Sequence, residues 1–349
     1  MTRRQGSNVT LKDIAERVGV SAMTVSRALS GKESLVNPET VRRIRAVAQE
    51  MGYSPNLLAR SLRGERLPTI VVFAEFISSH QYLASLVDFV ARAIESHGYS
   101  VIACQSGQSL LESLRQFKLA GAVILAPPES LLFDEKGRPR DRVDAEAPVV
   151  LIHSAVEQPL YNEVSPDLTD AAYQSAAHLV GLGHRRIGFL GGPPPEEEPQ
   201  WFRKRRVGIE RALSEGGLPP DVLHYQPCPN ADVAPAFVQQ MLQRVEGLTG
   251  LLCLNDEIAL AAISGLHERG LRVPRDLSVV GSNDIHLARF FRPALTTISI
   301  DIQTMVDTGL NLLFEEIRRG RSAATAAPVK VLQKCELIVR ESSGRAGGS

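Results

Sequence analysis

VTLKDIAERVGVSAMTVSRALSGKESL, residues 9–35, is the stretch on which the reading of this chain turns. Val9, Ile14, Ala15, Val18, Val20, Val25 and Leu29 recur at helical spacing and supply a small apolar set. Gly19 stands where a first helix, roughly residues 11–18, has to stop, because glycine enters the left-handed conformation without steric cost. Ser21 then offers a hydroxyl that accepts a free backbone N–H at the start of a second helix, roughly residues 22–29. Helix, glycine turn and capped helix form a helix-turn-helix pattern, whose second helix lies in a DNA major groove with its N-terminal residues at base edges. Periodicity alone leaves open a plain helical hairpin that touches nothing.

Working outward, Asn37-Pro38-Glu39 combines a capping side chain, a proline suited to the first helical position and an acid in the first turn. A third helix is predicted from there to about Met51, with Val41, Ile44, Val47, Ala48 and Met51 closing a small core. The formal net charge of the chain is zero, yet residues 1–66 hold 12 Lys+Arg against 6 Asp+Glu, leaving 27 against 33 in the remainder. A basic end on an acidic body suits phosphate contact at one end, although chance clustering gives the same count. Residues 1–8 read as a mobile basic arm.

With these elements in hand, the chain resembles the lactose-repressor (LacI/GalR) family of bacterial transcription regulators. The resemblance rests on TLKDIA, GVS–TVSR and GYSPN–A–SL in order and without gaps, and extends over roughly residues 9–342. It implies that Arg27 pairs with guanine through its forked guanidinium, and that Ala22 and Met23 occupy the family's variable, specificity-setting pair. Both are apolar here, so they touch thymine methyls and read no donor–acceptor pattern. Ser21, Thr24 and Ser26 suit phosphates, with plain helix surface as the alternative for the last two. Residues 53–66, YSPNLLARSLRGER, resemble the hinge helix, capped by Asn56 and ended by Gly64. Residues 56–63 are too short for a stable helix alone. The resemblance implies that they fold when two copies meet in the minor groove, with Leu62 wedged between base pairs and Ala59 permitting close approach. The alternative is a plain linker with Leu62 packed on the core. The residues assigned to DNA are thus Thr10, Ser21, Ala22, Met23, Thr24, Ser26, Arg27, Asn37 and Tyr53, then Asn56, Ala59, Ser61 and Leu62 in the hinge.

From Pro68 onward, near-continuous apolar strands alternate with helices: TIVVFAEF, SVIAC, GAVILAPP, APVVLIHSA, RRIGFLGG, GLLCLND and LSVVGSND. That pattern indicates parallel sheets covered on both faces. The fold class expected is an all-α helix-turn-helix headpiece plus an α/β periplasmic-binding-protein-like core of two parallel-sheet subdomains. The boundaries expected are 1–52 for the headpiece and 53–67 for the hinge. They continue with 68–165 plus about 298–324 for one subdomain and 166–297 plus about 325–345 for the other. The unit at 104–120 is shorter than the family pattern. The tail GRAGGS reads as disordered, and without a leucine heptad a homodimer rather than a tetramer is expected.

Ligands of parallel α/β sheets bind beyond the carboxyl ends of the strands. Ser79, His80 and Tyr82 follow the first strand and reach toward such a cleft. Trp201, the only tryptophan, suits stacking on a sugar face. Asn255 and Asp256 end one strand, and Asn283 and Asp284 end the next. The resemblance adds Asp167 and Arg205, the latter through the spacing Arg205–x–x–Gly208, and marks Asn283 as a departure from a commoner aspartate. The effector residues expected are Ser79, His80, Tyr82, Asp167, Trp201, Arg205, Asn255 and Asn283. Open alternatives are helix caps for Asp256 and Asp284, a cleft cover for Trp201 and a loop role for His80.

The chain has no GxSxG elbow, P-loop or HExxH, which argues against an enzyme. His178 and His184 read as packing or capping residues. Cys104, Cys228, Cys253 and Cys335 lack metal spacing and read as small buried hydrophobes, so neither cofactor nor metal is expected. No apolar run is long enough to span a membrane and the N-terminus lacks a signal-peptide core, so a cytoplasmic protein is expected. The function this reading predicts is a dimeric repressor of a sugar or sugar-acid operon, released from a pseudo-palindromic operator by a small molecule. A constitutive regulator with a vestigial pocket and a corepressor-dependent regulator are the alternatives.

Overall fold

Helix α1 (Leu11–Val18) starts on Thr10, whose backbone N–H donates to the Asp13 carboxylate at 2.7 Å while its hydroxyl accepts from Asp13 N–H. That reciprocal pair satisfies two donors a helix start would otherwise leave free, and Thr10 holds the Asp13 carboxyl below its ordinary pKa. Gly19 ends α1 at φ 78°, and Ser21 caps α2 (Ala22–Leu29) by accepting from Thr24 N–H at 3.1 Å. Asn37 caps α3 (Pro38–Glu50), which has proline in its first turn. Ile14, Val25, Ala28 and Ile44 are fully buried where the three helices meet. The computed structural model describes residues 9–29, 35–53, 66–75, 80–133, 147–157, 160–193, 197–320 and 327–347. The arm before Val9, the hinge residues Asn56, Ala59, Ser61 and Leu62, and Ser79 lie outside the described residues. These three helices belong to one compact unit, residues 1–65, and the rest of the chain to a second, residues 66–349.

The second unit holds two six-stranded sheets. The first is built from β1 (Leu67–Ala74), β2 (Ser100–Cys104), β3 (Leu119–Leu125), β4 (Val149–Ile152), β5 (Asn162–Pro166) and β11 (Lys330–Gln333), in the order β11-β5-β4-β3-β1-β2. Every pairing in it is parallel. The second uses β6 (Ile187–Leu190), β7 (Leu223–Gln226), β8 (Gly250–Cys253), β9 (Ser278–Ser282), β10 (Thr296–Ile300) and β12 (Cys335–Ile338), in the order β12-β10-β9-β8-β6-β7. Its edge strand β12 is antiparallel to β10. Ile70, Val71, Val72 and Phe73 are consecutive and all buried, as a strand covered on both faces demands. The covering helices are α4 (Gln81–Ser96), α5 (Gly107–Gln116), α6 (Glu129–Leu132), α7 (Leu168–Gly181), α8 (Gln200–Glu215), α9 (Ala234–Arg244), α10 (Asp256–Glu268) and α11 (Ile302–Arg319). Tyr82, Leu86, Val90 and Ile94 form the buried stripe of α4 at a spacing of four. The unit at 104–120 is a complete strand–helix step: Ser106 caps α5, and Leu110 and Leu114 pack against Val71 and Phe73.

Three findings depart from the sequence reading. Residues 329–342 serve both subdomains, because β11 pairs with β5 in the first sheet and β12 with β10 in the second. The chain therefore crosses between sheets near Asp167, Asp301 and Lys334, the last some ten residues beyond the boundary expected at about 324. The tail is anchored as far as Ala346, whose N–H reaches Leu182 O at 3.0 Å, while Gly344 N–H reaches Ser278 Oγ at 3.0 Å and Ser342 is fully buried. Small side chains that carry no apolar signal let this backbone lie flat against the second subdomain. Strand β7 and helix α9 are also unanticipated, β7 being a half-buried edge strand of mixed polarity. All four cysteines are buried and free. Among the described residues no helix is long and apolar enough to cross a membrane.

Candidate DNA-binding face and ligand cleft

In the first unit, Val25 and Ala28 turn α2 inward, which leaves Met23 and Arg27 together on the opposite side. Met23 is 63% exposed, an apolar side chain held in solvent without intramolecular cover. Arg27 is exposed beside it and makes no ion pair among the described residues, so its forked donors are available to a guanine edge. Ala22 and Ser26 are half-buried on the flanks of this face. The hydroxyls of Ser21 and Thr24 lie 2.9 Å apart and share one hydrogen bond, in addition to the cap. Thr10 and Asn37 serve as caps, with the Asn37 amide N–H left over. Tyr53 packs on the headpiece core and its N–H reaches Ala48 O at 2.8 Å. Arg42 and Arg45 of α3 are exposed as well.

In the second unit, the carboxyl ends of both sheets open on a cleft of about 370 Å³. One wall is Glu75, His80, Tyr82, Leu83, residues 126–128, Leu132 and residues 153–156; the other is Leu168, Gln200, Trp201, Arg205, Leu254, Asn255 and Asn283. Six of the expected effector residues meet here: His80, Tyr82, Trp201, Arg205, Asn255 and Asn283. Asp167 does not line the cleft. It caps α7, accepting from Asp170 N–H at 3.0 Å, because the strand ends one residue before it and its carboxylate turns into the helix start. Tyr82 lines the cleft but is 4% exposed, and its hydroxyl is engaged by His153 Nδ1 at 3.0 Å. The ring, not the hydroxyl, is what Tyr82 presents.

Glu75, His153 and Gln200 are cleft residues the sequence reading missed. Glu75 and His153 follow β1 and β4 directly, so the rule that located His80 had also marked them. His153 sits at φ 57°, a left-handed conformation that few residues other than glycine adopt. Its N–H on Val164 O, at 2.9 Å, and Tyr82 hold it there. Burial first, and the positive charge of Arg205 second, draw its pKa down to about 3, so the ring is neutral at pH 7.

Arg205 projects from α8, its guanidinium donating to Trp201 O at 3.1 Å and lying 5.4 Å from the Trp201 ring centroid. Desolvation lowers its pKa to about 10, which still leaves it charged. Trp201 itself stands edge-on to Phe202 at 5.8 Å. Gly208 makes this placement possible: α8 crosses α7 so closely that a Cβ at 208 falls 2.0 Å from Thr169 O. Asn255 caps α10 through Oδ1, accepting from Ile258 N–H at 2.9 Å, so its amide N–H₂ remains. Asn283 lies at φ 107°, its N–H bonded to Ile298 O. The two aspartates beside these amides face elsewhere. Asp256 is fully buried and accepts from Thr297 Oγ1 at 2.5 Å and Ile285 N–H at 2.8 Å, and burial raises its pKa to about 8. Asp284 pairs with Arg340 at 2.6 Å. His178 and His184 are structural too, bonded to Ser343 and to Thr249 and Gly344.

Among the described residues, hydrogen bonds cross the cleft at both rims, and Arg203 lies 3.8 Å from Glu157 at one of them. Glu257 Oε1 accepts from Gln81 N–H at 2.8 Å, and Gln200 Oε1 accepts from Glu157 N–H at 2.9 Å. Among the described residues no group of three or more His, Cys, Asp or Glu side chains is arranged to hold a metal ion.

A helix-turn-helix unit carried by a twin-sheet core with a cleft at its strand ends defines a class of DNA-binding transcription regulators. Residues 10–56 match the family described as "Bacterial regulatory proteins, lacI family", and residues 176–343 match "Periplasmic binding protein-like domain". The HTH-type transcriptional regulator AscG of Escherichia coli (strain K12) is 30% identical over 85% of this chain and 88% of its own. Catabolite control protein A of Priestia megaterium is 30% identical over 86% and 90%. The structure of the lac repressor dimer bound to operator and the anti-inducer ONPF superimposes with a TM-score of 0.79 at 26% identity, over 97% of this chain and all of the other. The chain belongs to the lacI family of DNA-binding transcriptional regulators.

Proposed function

We propose that this chain is an effector-responsive repressor of a sugar or sugar-acid operon. In this reading two copies bind a pseudo-palindromic operator. Met23, Arg27 and Ala22 meet base edges, the hydroxyls of Ser21, Thr24 and Ser26 meet phosphates, and Asn56, Ala59, Ser61 and Leu62 act at the centre of the site. A small polar molecule held between the two subdomains prefers one arrangement of the core, and that preference shifts the operator-binding population. The observation that carries the reading is the convergence of Trp201, Arg205, Asn255 and Asn283 opposite His80 and Glu75 in one cleft. Its size suits a molecule of sugar dimensions, and its amides and guanidinium suit hydroxyl and oxygen acceptors.

The test begins by selecting the preferred duplex from a random pool with the full chain. Operator affinity is then followed by fluorescence anisotropy against hexoses, pentoses, their acids, their phosphates and purines. One compound lowering operator affinity at least tenfold supports an inducer, and one raising it identifies a corepressor. Affinity unchanged across the set, with none of the compounds raising Tm, overturns the effector-responsive reading in favour of a constitutive regulator.

A further inference from the structure

Resting on the reading of the cleft as an effector site, we infer that the effector of this chain carries an anionic oxygen group, a carboxylate or a phosphate, received by Arg205. The inference comes from an accounting of charge on the second-subdomain wall. Arg205 has five N–H donors and, among the described residues, one protein acceptor for them, the Trp201 carbonyl. Among the described residues it forms no ion pair. The Trp201 ring beneath it attracts the cation but offers no oxygen.

Among the described residues, the carboxylates near that wall have other partners, Glu257 through one oxygen only. Asp167 caps α7, Asp256 is sealed between Thr297 and Ile285, Asp284 is paired with Arg340, and Glu257 accepts from Gln81. The two strand-end side chains that do face the cleft, Asn255 and Asn283, are neutral amides. Drawing a guanidinium partly out of water costs hydration, and an anion compensates that cost best. Among the described residues the protein supplies none, and the cleft lies beside the guanidinium. A carboxylate or phosphate presents paired oxygens that match the planar fork, and the spare N–H₂ groups of the amides add donors around it. Across the cleft, Glu75 is an acceptor with no counter-charge among the described residues, placed for hydroxyl groups on the body of the same molecule. The chemistry is that of a polyhydroxy acid or a sugar phosphate.

The experiment compares each neutral sugar of a hexose and pentose panel with its aldonic acid, its uronic acid and its phosphate monoester, using inorganic phosphate as the bare anion. Binding to the full chain is read as Trp201 fluorescence and as the rise in Tm, alongside operator release. The expected result is at least one acid or phosphate binding ten times or more tighter than its neutral parent. Arg205→Gln abolishes that preference, and Asn283→Asp, which places a carboxylate on the same wall, reduces it tenfold or more. The arm that responds, carboxylate or phosphate, names the group.

A neutral parent that binds as tightly as its acid overturns the inference. So does a preference that survives in Arg205→Gln, or silence from every acid and phosphate. Operator release by a neutral sugar with all anions silent overturns the anion while the proposed function stands. If instead an anion binds through Arg205 with operator affinity unmoved, the anion assignment stands and the regulatory reading falls.

Discussion

Buried ionisable side chains set the sharpest residue-scale expectations. His153 has its pKa drawn down to about 3 from 6.5, so the folded chain keeps the ring neutral where the unfolded chain takes up a proton. The stability this contributes is complete above about pH 6.5 and is lost as pH falls toward 3. His178 and His184 are lowered by burial in the same direction, so His153→Gln is expected to flatten the acid limb of Tm between pH 7 and pH 4 without abolishing it. An unchanged limb sinks this account of His153. The Arg340–Asp284 pair is a second case, its side chains only 16% and 12% exposed. Removing one partner strands the other in a poorly hydrated place. Asp284→Ala is expected to cost about 3–5 kcal/mol in urea unfolding, and adding Arg340→Met is expected to recover much of that. Additive losses in the double variant would show that the pairing itself contributes little.

At the scale of elements, closeness of approach and end-capping decide the outcome. The crossing of α7 and α8 leaves no room for a Cβ at position 208, where the obstacle is the backbone of residue 169 rather than a movable side chain. Gly208→Ala is therefore expected to destabilise the core by about 1–3 kcal/mol. Because Arg205 sits one turn earlier on α8, any Arg205-dependent ligand should weaken as well. A variant with wild-type Tm and ligand binding would refute that placement. In the headpiece, Ser21→Ala removes the cap of α2 and is expected to cost about 1 kcal/mol, read as lower helicity and Tm of the full chain's first transition.

The contrast between these elements explains what the sequence disclosed. Helices α1 to α3 announce themselves because caps, glycine stop and apolar spacing all sit within a few residues. The inner strands do so through unbroken apolar runs. Strand β7, LHYQ, has neither signal, since an edge position leaves every residue half-buried. The split at Lys334 is equally silent, because β11 and β12 are both short edge strands whose partners lie far off in the sequence, beyond a helix or further. In the cleft, Asn255 and Asn283 were legible from strand ends, and Arg205 through the family resemblance alone. The inward turn of Asp167 and the engagement of Tyr82 by His153 were not, since each depends on where a neighbouring element places one N–H or one ring.

Across the second unit as a whole, the Glu257 carboxylate joins the two subdomains at a helix start. Helix α4 begins at His80, whose side chain does not cap it. Glu257 supplies an acceptor from the opposite subdomain, through Oε1 on Gln81 N–H at 2.8 Å. Glu257 is itself in the first turn of α10, so its charge lies at the positive ends of two helices belonging to different sheets. Its second oxygen is buried without a hydrogen-bond partner, a placement that favours the contact only while both helix ends stay near. Closing the cleft therefore satisfies α4, and opening it returns both the donor and the carboxylate to water. Glu257→Ala removes the acceptor and the charge together and is expected to open the cleft, read as a larger radius of gyration in small-angle scattering of the ligand-free chain. Glu257→Gln keeps an acceptor at Oε1 while losing the charge, and is expected to fall between the two. The same order, wild type then Gln then Ala, should appear in the affinity of any molecule that bridges Trp201 and Arg205 to the wall holding His80 and Glu75. Equal radii for all three chains would mean that Glu257 caps α4 without holding the subdomains together.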